Sequence, residues 1–312
     1  MEQKILISII SPSFNEQENI EELYTRVFNI FEALPEFEFE YVFIDNASED
    51  RTQEVLRKLA SKDPRVKVII NTRNFGHIRS PYWGIINTKG AATIYLASDL
   101  QDPPELIPEF IKQWRAGYKI ILAIKPTAST NPLMHYLRKC YYRLLDKISK
   151  ISITKDATGF GLYDKKVIDC IRAIDDPYPF LRGLICELGF EIKTIPFKQP
   201  RREHGASKNN FYSLFDIALL GIISHSMVPI RLASLLGFIV AALSIFGAFI
   251  LLVLKIIFWE EVPIGYAPFG ILILLVFGIL LFFIGMVGEY VGTIHTRIQR
   301  YPIVVEKERI NF

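Results

Sequence analysis

The run Lys4-Ile5-Leu6-Ile7-Ser8-Ile9-Ile10-Ser11, the polar turn Ser13-Phe14-Asn15-Glu16-Gln17-Glu18-Asn19 and the stretch Ile20–Leu34 decide how this chain is read. A short continuous apolar run bounded by turn residues is the pattern of a buried strand, and apolar residues three and four apart are that of an amphipathic helix. The same unit recurs. Phe39–Asp45 reads as a strand and Thr52–Ser61 as a helix; Val66–Asn71 is a strand and Ile78–Thr88 a helix. Ala92–Ala97 is a fourth strand, Leu106–Ala116 a helix and Lys119–Ile124 a fifth strand. This βαβα rhythm predicts an α/β domain built on a doubly wound, mostly parallel sheet. Such sheets bind ligands at the carboxyl ends of their strands. The polar residues expected there are Phe14-Asn15-Glu16, Asp45-Asn46 and Asp99-Leu100-Gln101-Asp102, all facing one crevice.

The chain has 312 residues, more than one average domain needs. Half of them are hydrophobic and 22% charged, which excludes both a disordered chain and a pure membrane bundle. A net charge of +3 is too weak to argue for nucleic acid as a partner. Cys140, Cys170 and Cys186 have neither zinc nor redox spacing, so a reduced, cytosol-facing bulk is expected.

The mean hydropathy of +0.25 is concentrated in two places. Leu232–Leu254 is 23 residues without a charge, and Val262–Gly288 is 27. About 20 apolar helical residues span a bilayer, so two transmembrane helices are expected, near 232–254 and 266–288, with the second start set by Pro263 and Pro268. Arg201, Arg202, Lys208 and Arg231 lie before the first run, and Arg297, Arg300, Lys307 and Arg309 after the second. The positive-inside bias then puts both termini in the cytoplasm, with Trp259 and Tyr266 as an aromatic belt. Ile5–Ile10 is too short and too interrupted for a signal peptide, so a multi-pass protein of the cytoplasmic membrane is expected. Pro132–Lys150 reads as a basic helix, either solvated or lying on an anionic membrane, and Phe211–Pro229 as an amphipathic interface helix. The expected division is a catalytic domain at 1–208, a juxtamembrane helix at 209–230, a transmembrane hairpin at 231–289 and a cytoplasmic tail at 290–312.

The strongest local signal is Tyr95-Leu96-Ala97-Ser98-Asp99-Leu100-Gln101-Asp102-Pro103-Pro104-Glu105. Carboxylates and an amide at a strand end are hard oxygen ligands suited to Mg2+ or Mn2+, a metal that usually holds substrate phosphates. Read alone, the same residues serve equally as a cap for the helix that follows. Ser11–Asn19, Ile44–Thr52 and Asn71–Gly76 are further polar turns at the same expected edge, each of which by itself reads as a cap.

Taken in order, these turns resemble family 2 glycosyltransferases of the GT-A fold, in particular polyprenyl-phosphate glycosyltransferases. Within that group the chain is similar to bacterial undecaprenyl-phosphate (bactoprenol) glucosyltransferases of the two-span type and, more distantly, to dolichyl-phosphate mannose synthase. The resemblance extends through Asn74–Gly84, Gly159–Asp169, Arg182-Gly183, Arg202–Lys208 and Gly285–Gly292. It implies that Pro12, Phe14, Glu16, Asp45, Asn74, Ser98, Asp99, Gln101 and Lys125 bind the donor, with Asp45 on the base. It implies that Asp99 and Gln101 hold Mg2+ or Mn2+, and that Arg202, Ser207 and Lys208 meet the acceptor phosphate. Asp156 would approach the acceptor, to orient it or to act as a base; no catalytic role falls to His77 or His204. Three positions depart from the family pattern: Ala97 stands where Asp-x-Asp begins, Asn46-Ala47 where Asp-Gly is usual, and Gly161 where an Arg follows Phe.

The resemblance implies inverting transfer of a sugar, by default glucose from UDP-glucose, to undecaprenyl phosphate at the cytoplasmic membrane face. Such a lipid-linked sugar would serve cell-envelope, O-antigen or lipopolysaccharide modification, and a homo-oligomer such as a tetramer fits the two-span type. Two other readings stand beside it. A processive polysaccharide synthase would show Gln-x-x-Arg-Trp and more spans, whereas Gln113-Trp114-Arg115 does not match. A catalytically inactive scaffold that binds nucleotide sugars is motivated by Ala97 and Asn46.

Overall fold

The computed structural model describes residues 4–125, 157–174, 181–198, 266–298 and 302–312, with isolated positions between 235 and 257. The expected strand–helix units are present: β1 (Ile5–Ser13), α1 (Ile20–Glu32), β2 (Phe37–Asp45), α2 (Thr52–Lys62), β3 (Val66–Asn71), α3 (Gly76–Ile86) and β4 (Ala92–Tyr95). A 3-10 turn at Pro104–Leu106 leads into α4 (Ile107–Arg115), followed by β5 (Ile120–Ile124). Beyond these come β6 (Ala157–Asp164), α5 (Lys165–Ile174), α6 (Leu181–Glu187) and β7 (Ile192–Pro196).

One eight-stranded sheet has the order β7-β5-β6-β4-β1-β2-β3-β8, with β8 at Glu306–Ile310. β1 pairs in parallel with β2 and β4, β2 with β3, and β5 with β7. β6 runs antiparallel between β4 and β5, and β8 runs antiparallel along β3. The sheet is therefore more mixed than the βαβα rhythm predicts. The central strands are buried on both faces, as the apolar run of β2 requires. On one face Ile20, Leu23, Val27 and Phe31 of α1, with Leu56 of α2 and Phe110 of α4, pack on Ile7, Phe39 and Phe43. On the other, Tyr82 and Ile85 of α3, Val167 and Ile171 of α5 and Leu184 of α6 pack on Ile10, Val42 and Ile44. Three α/β/α layers result, and they bring the carboxyl ends of β1 to β5 to one edge.

Two corrections concern the ends of the reading. Residues 302–312, expected as part of a cytoplasmic tail, supply β8 and bury Ile303 and Val304 in the second core. The departure at Gly161, where the family pattern has an Arg, also has a structural reason. Gly161 pairs with Tyr95 and Leu122, and a Cβ there would lie 2.1 Å from the Ile121 carbonyl oxygen. No side chain fits at that place, so the glycine is a packing requirement of β6.

The second compact unit contains α7 (Tyr266–Ile298), 33 residues long, which begins at the Tyr266 that the prolines indicated. Phe269, Leu272, Phe277, Leu280 and Ile284 on it are exposed. Taken over the described residues alone, no helix is long and apolar enough to cross a membrane. The first expected span, 232–254, lies almost wholly outside those residues, as do the expected helices 132–150 and 211–229.

Candidate functional site

The loops after β1, β2, β3 and β4 share one geometric feature. Each holds a residue in the left-handed backbone region: Asn15 (φ 58), Ala47 (φ 61), Gly76 (φ 83) and Leu100 (φ 57). For a residue with a Cβ this costs about 1 kcal/mol, and such strain gathers at binding sites. Ala47 shows that the turn normally made by glycine is kept here at that cost.

Hydrogen bonds tie the four loops into one rim. Asn15 N–H donates to Ser48 Oγ at 2.9 Å, and Glu49 N–H to Asn15 Oδ1 at 2.8 Å. Glu16 N–H donates to Thr52 Oγ1 at 2.9 Å, while Glu16 Oε2 accepts from Asn19 Nδ2 at 2.6 Å. Asn46 joins the second loop to the third. Its Nδ2 donates to Asn74 Oδ1 at 2.8 Å and Gly76 O at 3.2 Å, and its Oδ1 accepts from Phe75 N–H at 2.9 Å and Asn71 Nδ2 at 3.1 Å. An aspartate there would have no proton to donate to Asn74, so the departure at position 46 is matched to the loop opposite.

Two expected donor ligands turn inward. Ser98 is 2% exposed, and its hydroxyl lies 2.8 Å from Ser13 Oγ and 2.9 Å from Pro12 O, so it joins β1 to the loop after β4. Asp45 is fully buried and binds Ser48 N–H at 3.0 Å, the Ser48 hydroxyl, and Gln53 Nε2 at 3.0 Å. Burial pushes its carboxyl above the usual range, against the pull of those donors. Through these bonds both side chains shape the rim from beneath.

Asp99 begins the acidic turn, and its Oδ1 accepts from Gln101 N–H at 3.2 Å. Asp102, three residues on, is 4% exposed and receives a long 3.4 Å contact from Ala97 N–H. Burial and then the Asp99 charge push its carboxyl up to about 7, while Lys125, at the end of β5, pulls it back. The turn thus sets two carboxyl groups, Asp99 and Asp102, close enough to interact, one of them protonated below about pH 7. Among the described residues no group of three or more His, Cys, Asp or Glu side chains forms a ready cage. Mg2+ or Mn2+ needs no such cage, since it takes one or two carboxylates from protein and the rest from water and substrate phosphate. Asp99 and Gln101 are the hard oxygen donors that would hold it, with Asp102 behind them.

The proton on Asp102 has a measurable consequence. A carboxyl held at about 7 against an unfolded value of 3.8 keeps its proton in the folded chain. Stability is therefore lost as pH rises from about 4 to about 7, by on the order of 4 kcal/mol in chelator. Thermal denaturation between pH 4 and pH 8 should show this decline, Asp102→Asn should flatten it, and Mn2+ should offset it at pH 8. An unchanged slope in Asp102→Asn would refute the assignment.

Asp102 was legible only as a member of the motif, because its burial is set by packing. Arg182, quoted above without a role, opens α6 and acts on Tyr95, Tyr163 and His77. Burial and that guanidinium hold His77 below the usual imidazole range, so it is neutral near pH 7. Asp156, Arg202, Ser207 and Lys208 lie outside the described residues.

A model of the family described as glycosyl transferase family 2 matches residues 8–172. The chain is similar to the bactoprenol glucosyl transferase of Shigella phage SfX, 34% identical over 305 residues, 97% of this chain and 99% of that one. It is similar to the uncharacterized glycosyltransferase YkcC of Bacillus subtilis (strain 168), 32% identical over 306 residues, 98% of this chain and 94% of that one. Among solved structures it is similar to the mannosyltransferase PcManGT from Pyrobaculum calidifontis in complex with GDP-Man and Mn2+. There the TM-score is 0.46 with 16% identity, covering 71% of this chain and 63% of that one.

Proposed function

Because the chain belongs to glycosyl transferase family 2, we propose that it transfers a hexose, glucose in the first instance, from UDP-glucose to a polyprenyl phosphate. The observation that carries this reading is the 34% identity to a bactoprenol glucosyl transferase along 97% of the chain, which runs past the sheet domain into the apolar C-terminal part. The charge-free stretches 232–254 and 262–288 would hold the enzyme in the cytoplasmic membrane, where its lipid acceptor resides.

In the proposed reaction an oxygen of the acceptor phosphate attacks the anomeric carbon. The new bond to that carbon forms as its bond to the nucleoside diphosphate breaks, and the electron pair leaves with the diphosphate. A phosphate monoester has a second pKa of about 6, so the nucleophile is already an anion and needs no strong base. That favours orientation over proton abstraction for Asp156. Asp99 and Gln101 would hold Mg2+ or Mn2+, which supplies the charge neutralisation a departing diphosphate needs. Lys125 adds a fixed positive charge at the same edge, and Arg202 and Lys208 would position the acceptor phosphate. Phe14, Glu16 and Asn74 on the loop rim would line the nucleoside and sugar pocket.

Purified protein, radiolabelled UDP-glucose, undecaprenyl phosphate and Mn2+ test this directly. Label should pass to the organic phase, and the product should carry inverted anomeric configuration, β from an α-linked donor. Nucleotide binding without transfer would support the inactive scaffold instead, and retained configuration would refute the single displacement.

A further inference from the structure

The last eleven residues do more than complete the sheet. Thr72 N–H and Thr72 Oγ1 donate to the Val305 carbonyl at 3.0 Å and 3.1 Å. Arg79 donates to the Pro302 carbonyl at 2.8 Å. Trp83 Nε1–H donates to Glu306 Oε1 at 2.5 Å, and Arg309 bridges Glu306 and Asn87 at 2.8 Å and 3.0 Å. These partners all lie on the segment from the end of β3 to the end of α3, on either side of Asn74 and Gly76. The inner flank of that loop is held by Asn46, as described above. The loop is thus gripped from within by the loop after β2 and from without by a segment more than 200 residues away in sequence.

We infer that the 302–309 segment is a positioning element for the donor site, with Trp83 and Glu306 as its clasp, setting where Asn74 and Gly76 stand against the bound nucleotide sugar. The inference rests on the donor-site reading of this rim. The short edge strand is rich in charge, Glu306-Lys307-Glu308-Arg309, and its backbone ladder to β3 is flanked by side-chain bonds of Glu306 to Trp83 on α3 and of Arg309 to Asn87 just beyond it. Its other flank is fixed separately, by Arg57 on Glu308 at 2.7 Å and by Asn311 Nδ2 on the Ala60 and Val66 carbonyls. The clasp can therefore be cut without detaching the strand.

The test uses the full-length protein with UDP-glucose as donor probe and two readouts, hydrogen exchange of amides 72–79 and steady-state kinetics. Glu306→Ala and Trp83→Phe should speed exchange in 72–79 and raise the donor KM about fivefold, with kcat within about twofold, because each removes the Trp83–Glu306 hydrogen bond and Glu306→Ala also removes the acceptor of Arg309. Glu306→Gln, which keeps an acceptor for the indole N–H, should restore both. Arg57→Ala, on the other flank, should leave exchange in 72–79 unchanged. Exchange unaltered in Glu306→Ala would overturn the clasp. Faster exchange with an unaltered KM in an active enzyme would overturn its positioning role. A wild-type protein that turns over no UDP-glucose would instead remove the donor reading, and the inference with it.

Discussion

Asp99→Ala should lower turnover by about 10³-fold or more while the protein stays folded. Asp99 is the carboxylate in the loop after β4 that the acidic turn is built around, and Gln101 N–H is fixed on its oxygen. Stabilising charge on a leaving group is commonly worth several kcal/mol, so losing the cation's anchor costs on the order of three powers of ten. Asp99→Asn should behave nearly as badly, because an amide keeps the shape and loses the charge. The variant carries its own internal check. The Asp99 charge helps hold the Asp102 carboxyl up, so Asp99→Asn should let it fall and move the pH-dependent loss of stability to lower pH. Turnover within tenfold of wild type, in protein whose Asp102 titration has shifted as stated, would remove Asp99 from the mechanism.

The largest expected effect on stability is at Gly161. A Cβ built there would meet Ile121 O at 2.1 Å, Leu122 Cα at 3.1 Å and Ile121 C at 3.2 Å. These are backbone atoms of β5, so relief requires moving a strand paired on both sides rather than a side chain. Gly161→Ala should cost on the order of 3 kcal/mol, about 10 °C in Tm for a domain of this size, and Gly161→Val should not fold. Gly117→Ala is the useful contrast. Gly117 has φ 108 but nothing within 4 Å of a Cβ, so only backbone strain of about 1 kcal/mol is expected. Equal Tm losses at the two positions would show that β5 and β6 are not in close contact.

Much of the architecture was legible because the signals are local. Val66–Asn71 was read with its observed bounds, and α1 and α2 differ from the expected helices by two residues and one at their ends. The antiparallel β6 was missed because Ala157-Thr158-Gly159-Phe160-Gly161 carries two glycines and no alternation, and glycine weakens any strand signal. The acidic turn was legible as a set of ligands, but the division of labour within it was not. Asp102 gained importance from burial, while Ser98 lost freedom to partners on β1 and Asp45 to Ser48 and to Gln53 on α2.

What the sequence by itself determined is the repeated strand–turn–helix unit, the edge at which polar turns accumulate, and the oxygen-bearing side chains of Asp99 and Gln101 in one of them. Each follows from periodicity or from residue chemistry within about ten neighbours. Only the tertiary structure decided that β8 closes the sheet, that Asn46 locks the third loop, and that Gly161 is a contact between strands. Strand pairing is made by backbone groups that every residue carries, so the charged run Glu306–Ile310 has no side-chain signature of its partner until β3 stands beside it.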